Sequence, residues 1–321
     1  MNCAVQEGPK APLPVKNGIA PSRVWLPDGP WLLMGTFLLE RFEHVAEADL
    51  RQRLEQGDIV TSSGEAVSFH TPYQPNQWLW YYRYVPNEVA VPFEMPILYA
   101  DHHLIAVDKP HFLASTPGGQ YLQHTALVRV RQHFNDANIT PLHRLDRETA
   151  GVLLFCREPS LRGAYQSLFQ QQAIEKEYEA IAATNLRATF PLIYKSRLVA
   201  PKGQFLMEEV AGEPNSETHI SVVQSWHDLR FGHLSHYVLR PTTGRKHQLR
   251  KHMQGLGTPI LHDSYYPAGQ LPLASDDFSR PLQLLARSIA FVDPVSGEYR
   301  QFVSQQQLAV LPTSSSYTLS V

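Results

Sequence analysis

Three short stretches of this sequence concentrate groups capable of chemistry. The first is Leu142-His143-Arg144-Leu145-Asp146-Arg147-Glu148-Thr149-Ala150-Gly151, which runs straight into an apolar segment ending at Cys156. A carboxylate on a loop feeding a buried strand, with an arginine on either side, stays ionised at neutral pH because nearby cations favour the charged form. Asp146 is therefore a candidate nucleophile or general base. The competing reading of this loop is a surface cluster of salt bridges. The second stretch is Ala173 to Ala180, where Lys176 and Tyr178 share one face of a strand. A tyrosine so placed stacks on a flat ring or accepts a proton; otherwise it is a core ring with its hydroxyl satisfied. The third, Thr243 to His252, crowds Arg245, Lys246, Arg250 and Lys251 with two histidines at a strand-to-helix junction. A helix start already carries partial positive charge and free N–H groups, which suits a phosphate. Cations there oppose the dipole and point to a task other than folding, the alternative being a solvated basic face. His247 and His252 are five residues apart, not the four of a helical metal pair, so zinc is not expected.

These stretches need elements to hold them. Gly151 to Cys156 reads as a short buried strand, being apolar without alternation. Leu161, Ala164, Tyr165, Leu168 and Phe169 follow helical spacing, with Ser160 as the expected cap. Lys176 to Ala183, Ile220 to Trp226 and Tyr237 to Arg240 read as strands. Thr243-Gly244 turns the last of these into a helix from near Arg245 to Gly257. Upstream, Ile97 to Tyr99 and Leu104 to Val107 form a hairpin ending in Lys109-Pro110, and Thr125 to Phe134 form a helix. Earlier still, apolar spacing predicts one helix over Phe37 to Glu55, stopped by Gly57. Ile59-Val60 and Ala66-Val67 then bracket Ser63-Gly64 as a hairpin. Gln77 to Val91 is β-prone and aromatic; its rings either stack on nucleic acid or are buried by a strand, and burial is the expectation. Helices and strands mix without strict alternation. The fold class is α+β, with a mostly antiparallel mixed central sheet flanked by helices and loops.

A chain of 321 residues suits about two domains. Residues 1–35, with six prolines in the first thirty, are expected to form an irregular arm. Residues 36–92 form a small accessory unit, 93–310 the main domain, and the Ser-rich 311–321 a flexible tail. An apolar content of 43% supplies a core, and only 18% charged residues argues against disorder over the whole length. Twenty-eight Lys and Arg against 30 Asp and Glu exclude a polybasic coat, so any anionic partner must meet a local patch. The longest apolar runs fall far short of the ~18 residues that span a bilayer, and Met1 to Lys10 lacks a secretory apolar core. Cys3 and Cys156 are too few for a disulfide framework or a cysteine zinc site. The expected setting is the cytoplasm, away from membranes.

HRLDRETAG, KEY and TGRKHQLRKH, in this order and spacing, resemble the signature segments of the RluA-type RNA pseudouridine synthases. The resemblance runs from about Ile97 to Phe302. It includes the Tyr99 to Pro110 hairpin ending in Lys-Pro, and Gly257 to Tyr266 with Pro259, Ile260 and Asp263. HRLD alone would be ambiguous with a kinase His-Arg-Asp loop, but an extra Leu separates Arg from Asp and no Asn follows at kinase spacing. The resemblance implies the pseudouridine synthase fold and isomerisation of uridine in ribosomal or transfer RNA. It implies that Asp146 is the essential carboxylate, that Tyr178 stacks on the target uracil and helps remove its C5 proton, and that Arg250 pairs with the carboxylate. Arg144 would fill the gap left by the flipped uridine. RNA would be held by a local basic surface of Arg144, Arg147, Lys176, Arg245, Lys246 and Lys251. No redox step or external group is involved, so no cofactor or metal is expected, and nothing demands more than a monomer.

Some residues depart from the pattern. Leu284-Leu285-Ala286 stands where many relatives have Leu-His-Ala, and His262 stands where glycine is usual before Asp263. Residues 37–67 faintly resemble the S4 RNA-binding module, yet Glu40 to Glu65 holds seven acidic residues and three Arg, the wrong balance for phosphate. Two other functions compete. One is a non-catalytic RNA-binding or assembly protein that keeps the fold. The other is a nucleosidase or glycosidase, which generally needs two carboxylates and has only Glu148 beside Asp146.

Overall fold

Residues 10–85, 87–267, 274 and 276–312 are described by a computed structural model. The first nine residues of the expected arm and the tail from 313 lie outside them. The chain divides into two compact units, Met1–Glu88 with Pro117–Gln123, and Val89–Thr116 with His124–Val321.

The first unit is a three-stranded antiparallel sheet backed by two helices. Its elements are β1 (Ser22–Leu26), α1 (Met34–Arg41), α2 (Glu47–Glu55), β2 (Ile59–Thr61) and β3 (Gln77–Tyr81), with the strands in the order β1-β3-β2. The expected irregular arm contains β1, where Val24 and Leu26 point inward while Arg23 and Trp25 stay exposed. That alternation is short and sits among prolines, so composition hid it. The single helix expected over Phe37 to Glu55 is two. α1 ends at Arg41, and Val45 N–H bonds back to Phe42 O before Ala46, in extended conformation, caps α2. The break lets both helices turn Phe37, Leu38, Leu50 and Leu54 onto the sheet residues Val24, Leu26, Ile59 and Leu79. The Ile59-to-Val67 hairpin is present, closed by a Val60–Ala66 bridge.

The second unit is built on one large sheet. Its strands are β4 (Ile97–Ala100), β5 (Leu104–Lys109), β6 (Thr140–Pro141), β7 (Ala150–Cys156), β8 (Glu175–Ala183), β9 (Leu192–Val199), β10 (Glu208–Val210), β11 (Ser216–Asp228), β12 (Gly232–Pro241), β13 (Leu284–Val292) and β14 (Tyr299–Val303). They run in the order β10-β9-β11-β12-β8-β13-β7-β5-β4, with β14 on β13 and β6 on β7. All pairings are antiparallel except β13–β7. The helices are α3 (Ala126–Phe134), α4 (Arg162–Gln170) and α5 (Gln248–Gly255). This is the α+β class with a mostly antiparallel mixed sheet.

Every residue of β7 is buried, as its unbroken apolar run requires of a central strand. Its two faces feed different cores: Leu153 and Phe155 join α3, while Val152 and Leu154 join Tyr165 of α4. Thr125 caps α3 by accepting the Val128 N–H. Ser160 does not cap α4. A 3-10 turn, Pro159–Leu161, precedes the helix, and the Ser160 hydroxyl donates to Glu158 instead. α5 begins at Gln248 rather than Arg245, because His247 before it adopts a left-handed conformation with φ 53°.

Candidate active site

Asp146 lies on the loop that enters β7, and that loop is fixed from several sides. Ser115 Oγ accepts the Leu145 N–H at 3.0 Å and donates to Leu145 O at 2.7 Å. Lys109, fully buried at the end of β5, donates to the carbonyls of Pro110, Leu113 and Arg147. The Lys-Pro ending of the first hairpin is thus a clamp on the loop, and burial brings the Lys109 pKa down to about 7. His143 stacks on Phe169 at 5.1 Å and accepts the Leu154 N–H through Nε2, so its proton sits on Nδ1. Burial lowers its pKa to about 3.

Gly151 ends the motif for a steric reason. Its φ is +113°, and a Cβ there would stand 2.2 Å from the Ala286 carbonyl oxygen. No side chain fits where β7 and β13 meet in parallel.

The Arg250 side chain is 1% exposed and is held by more than Asp146. Its Nε donates to Asp263 Oδ2 at 2.7 Å, and its Nη2 donates to Asp263 Oδ1 and to Glu148 Oε2. Asp263 Oδ1 also accepts the N–H groups of Tyr265 and Tyr266, and Glu148 accepts the Ser264 hydroxyl. Nη1 has no hydrogen-bond partner among the described residues and stands 3.7 Å from Asp146 Oδ2. Two carboxylates therefore orient the guanidinium, which presents its remaining nitrogen to the third. Burial opposes the charge on Arg250, but bonding to Asp263 and the three surrounding carboxylates push its pKa above the usual arginine value.

Asp146 also faces His247, whose Nε2 is 3.9 Å from Oδ1. The Tyr266 hydroxyl accepts the Met207 N–H at 2.8 Å and lies 2.9 Å from His247 Nδ1, which holds the ring with Nε2 toward Asp146. Burial lowers the His247 pKa to about 3, so the ring is neutral at pH 7. For Asp146 itself, burial raises the pKa and outweighs Arg250 and Lys109, which lower it. The ordering expected from the flanking arginines alone is therefore reversed.

Tyr178 stands in β8 opposite Leu239 of β12 and Ala286 of β13. Burial, and then the charge of Asp146, push its phenol pKa well above the normal value. Asp146, Tyr178 and Arg250 line one cavity of about 600 Å³ together with Arg144, Lys176, Arg245 and Lys246. Lys176 donates to Thr243 O at 3.1 Å and Lys246 lies 3.7 Å above the Phe205 ring. Arg147 and Lys251 do not line the cavity. The Arg147 guanidinium lies 5.7 Å from the Phe112 ring, and Lys251 donates to Gln254 Oε1. Glu148, the second carboxylate a glycosidase would need, has both oxygens engaged.

Several residues that build this site had no role assigned from sequence. Lys109 and Asp263 were visible only as members of a motif, and Ser115, Ser264 and Tyr266 carry no local signal. His262 has φ 63°, a conformation that glycine adopts freely, which explains the usual residue there. No group of three or more His, Cys, Asp or Glu among the described residues is placed to hold a metal ion. No helix among them is long and apolar enough to cross a membrane.

The arrangement is a pocket with Tyr178 in its wall, a half-buried carboxylate, Asp146, and four further cations around it. The RNA pseudouridylate synthase family model matches residues 103–255. The dual-specificity RNA pseudouridine synthase RluA of Haemophilus influenzae is 30% identical over 65% of this chain and 91% of its own. The tRNA pseudouridine synthase C of Haemophilus ducreyi is 32% identical over 54% of this chain and 74% of its own. The solved structure of human RNA pseudouridylate synthase domain-containing 1 shares the fold, with a TM-score of 0.54 at 21% identity over 66% of this chain and 84% of that one. The chain belongs to the RNA pseudouridine synthase family, in its RluA-type branch.

Proposed function

We propose that this enzyme isomerises a uridine in ribosomal or transfer RNA, with Asp146, Tyr178 and Arg250 as its catalytic residues. The observation that carries the assignment is the Asp146 carboxylate, 3.7 Å from the one unbonded nitrogen of a buried Arg250, in the cavity that Tyr178 walls. The reaction breaks N1–C1′, turns the base and joins C5 to C1′. A base cannot turn inside a stack, so the nucleotide must be flipped out at a cost of a few kcal/mol. A cavity of about 600 Å³ accepts it. Arg144, Lys176, Arg245 and Lys246 offer the surrounding phosphates cations at the rim. Arg147 and Lys251 act farther along the strand.

The electrostatics suggest an order of events. In the resting site the Tyr178 phenol is protonated, because burial and the Asp146 charge both disfavour phenolate. The C5 proton leaves late, after C5–C1′ has formed and Asp146 is again a free carboxylate: Tyr178 takes it while passing its own phenolic proton to Asp146, so that the phenol stays protonated throughout. Action by a single chain, in the cytoplasm, is part of the proposal.

Asp146→Asn should abolish tritium release from 5-tritiated-uridine RNA while leaving RNA binding within about threefold, since most affinity comes from phosphate contacts. Tritium release at a normal rate by this variant would overturn the assignment.

A further inference from the structure

We propose that the first unit carries a second RNA contact, a site for one nucleotide, phosphate and base together, in a cavity of about 350 Å³ within that unit. The proposal rests on RNA being the partner, but not on the catalytic residues. The cavity has an apolar floor that includes Leu50 and Ile59, aromatic walls from Phe42, Tyr81 and Tyr84, and two cations, Arg53 and Arg83. Its volume is at the small end for a ligand pocket, which suits a single nucleotide. No aspartate or glutamate lines it, although the unit is acidic as a whole.

The cations are what call for an anion. Arg53 donates to Tyr82 O and Arg83 to Gly119 O, yet neither they nor Arg41 forms an ion pair among the described residues. Arg41 and Arg53 each occupy the last turn of a helix, where the dipole favours a cation, so those two placements have a folding explanation. Arg83 has none. It converges with both on the Tyr81 phenol, which burial perturbs first and the three guanidiniums next. Arg53 and Arg83 line the cavity bonded only to backbone carbonyls, so a phosphodiester there supplies the anion that no described carboxylate provides.

The aromatic part of the ligand follows from Tyr84. Its side chain is 67% exposed and lines the same cavity, which leaves the ring available for a base to stack on. A further hollow of about 360 Å³ shares Arg53, Arg83 and Tyr84 and adds Lys16 and Tyr82, along with Asp49 and Asp58. The strand can therefore continue past these three residues, and the two acids set the side on which its bases rather than its phosphates face.

The test uses the full chain and a labelled single-stranded RNA of about twelve nucleotides, followed by fluorescence anisotropy. Tyr84→Ala and Arg83→Gln should each weaken binding about tenfold, in keeping with one lost stack or phosphate contact. Tyr84→Phe, which keeps the ring, should stay within twofold of the parent. Arg83→Gln should also flatten the dependence of log affinity on log salt by about 0.7. The rate of tritium release at saturating RNA should be unchanged in all three. Tyr84 is exposed and bears no part of the core, so loss of folding cannot imitate the result. Binding within twofold of the parent for both Tyr84→Ala and Arg83→Gln would overturn the proposal. So would equal weakening by Tyr84→Phe and Tyr84→Ala, which would mean that no base is stacked. Failure of the catalytic reading would show separately, as absence of tritium release from the parent enzyme.

Discussion

Replacing Asp263 by asparagine tests the idea that Arg250 is aimed by the carboxylates behind it. Both Asp263 and Arg250 are at most 1% exposed, so no water can substitute for a lost bond. In Asp263→Asn the amide keeps an oxygen for the Tyr265 and Tyr266 N–H groups, but its NH2 meets Arg250 Nε donor to donor. Removing one partner of a buried pair costs about 3–5 kcal/mol. Glu148 still holds Nη2 and the Tyr265 ring still lies 4.7 Å from the guanidinium, which favours the lower end. A loss of about 3 kcal/mol corresponds to a fall in melting temperature on the order of 6 °C.

The same change has a signed effect on the chemistry. The Asp146 pKa is raised by burial first, lowered by Arg250, and raised again by the charge of Asp263. Deleting that charge lowers it, and Glu148 still keeps the guanidinium beside Asp146. The acid limb of the rate profile should therefore move to lower pH. The turnover rate should fall about tenfold to a hundredfold, because loss of fixed orientation by about 1 Å costs that much. Tritium release measured across pH, with thermal melting of the same samples, reads both effects. An acid limb that stays put or moves upward would refute the reasoning, as would a stability loss below about 1 kcal/mol.

Three other perturbations follow from the same geometry. Gly151→Ala should destabilise the second unit by several kcal/mol, about 3 or more, since its methyl would collide with the Ala286 carbonyl in a backbone already at positive φ; denaturant unfolding measures this. Ser115→Ala leaves the Leu145 N–H and C=O buried and unpaired, costing about 1–3 kcal/mol for each group. It should lower kcat more than it raises KM, because it loosens the Asp146 loop rather than the RNA surface. Glu179 accepts two hydrogen bonds from Arg287 at 2.8 Å and has His236 Nε2 3.5 Å away; burial alone would raise its pKa, but these two neighbours hold it down to about 2. Its stabilising contribution is complete above the unfolded value of 4.5 and is lost as pH falls toward 2. Glu179→Gln should erase on the order of 3 kcal/mol of pH-dependent stability in that window, as read by urea midpoints at pH 5 and pH 2.5.

What could be read from the sequence was whatever short-range order encodes. β7 is an unbroken apolar run, the hairpin before it ends in Lys-Pro, and α3 carries its own threonine cap; each declares itself within ten residues or so. Asp146, Tyr178 and Arg250, which the fold brings to one cavity, drew notice because each sits inside a dense local motif. The failures share a cause. β1 needed β3 across more than fifty residues of chain to reveal its alternation, and the split between α1 and α2 is imposed by the sheet that both must cover.

The electrostatics of the site could not be read at all from neighbours in sequence. Flanking arginines pointed to a carboxylate ionised at neutral pH, but the direction of its pKa shift is set by burial, which outweighs Arg250 and Lys109 and is a property of the folded whole. Arg250 finds Glu148 over a hundred positions away, and His247 is held by Tyr266, which Met207 holds in turn. Residue type and local spacing fixed which groups were available. Only tertiary contact determined which of them are charged, which way they point, and what they leave free for a substrate.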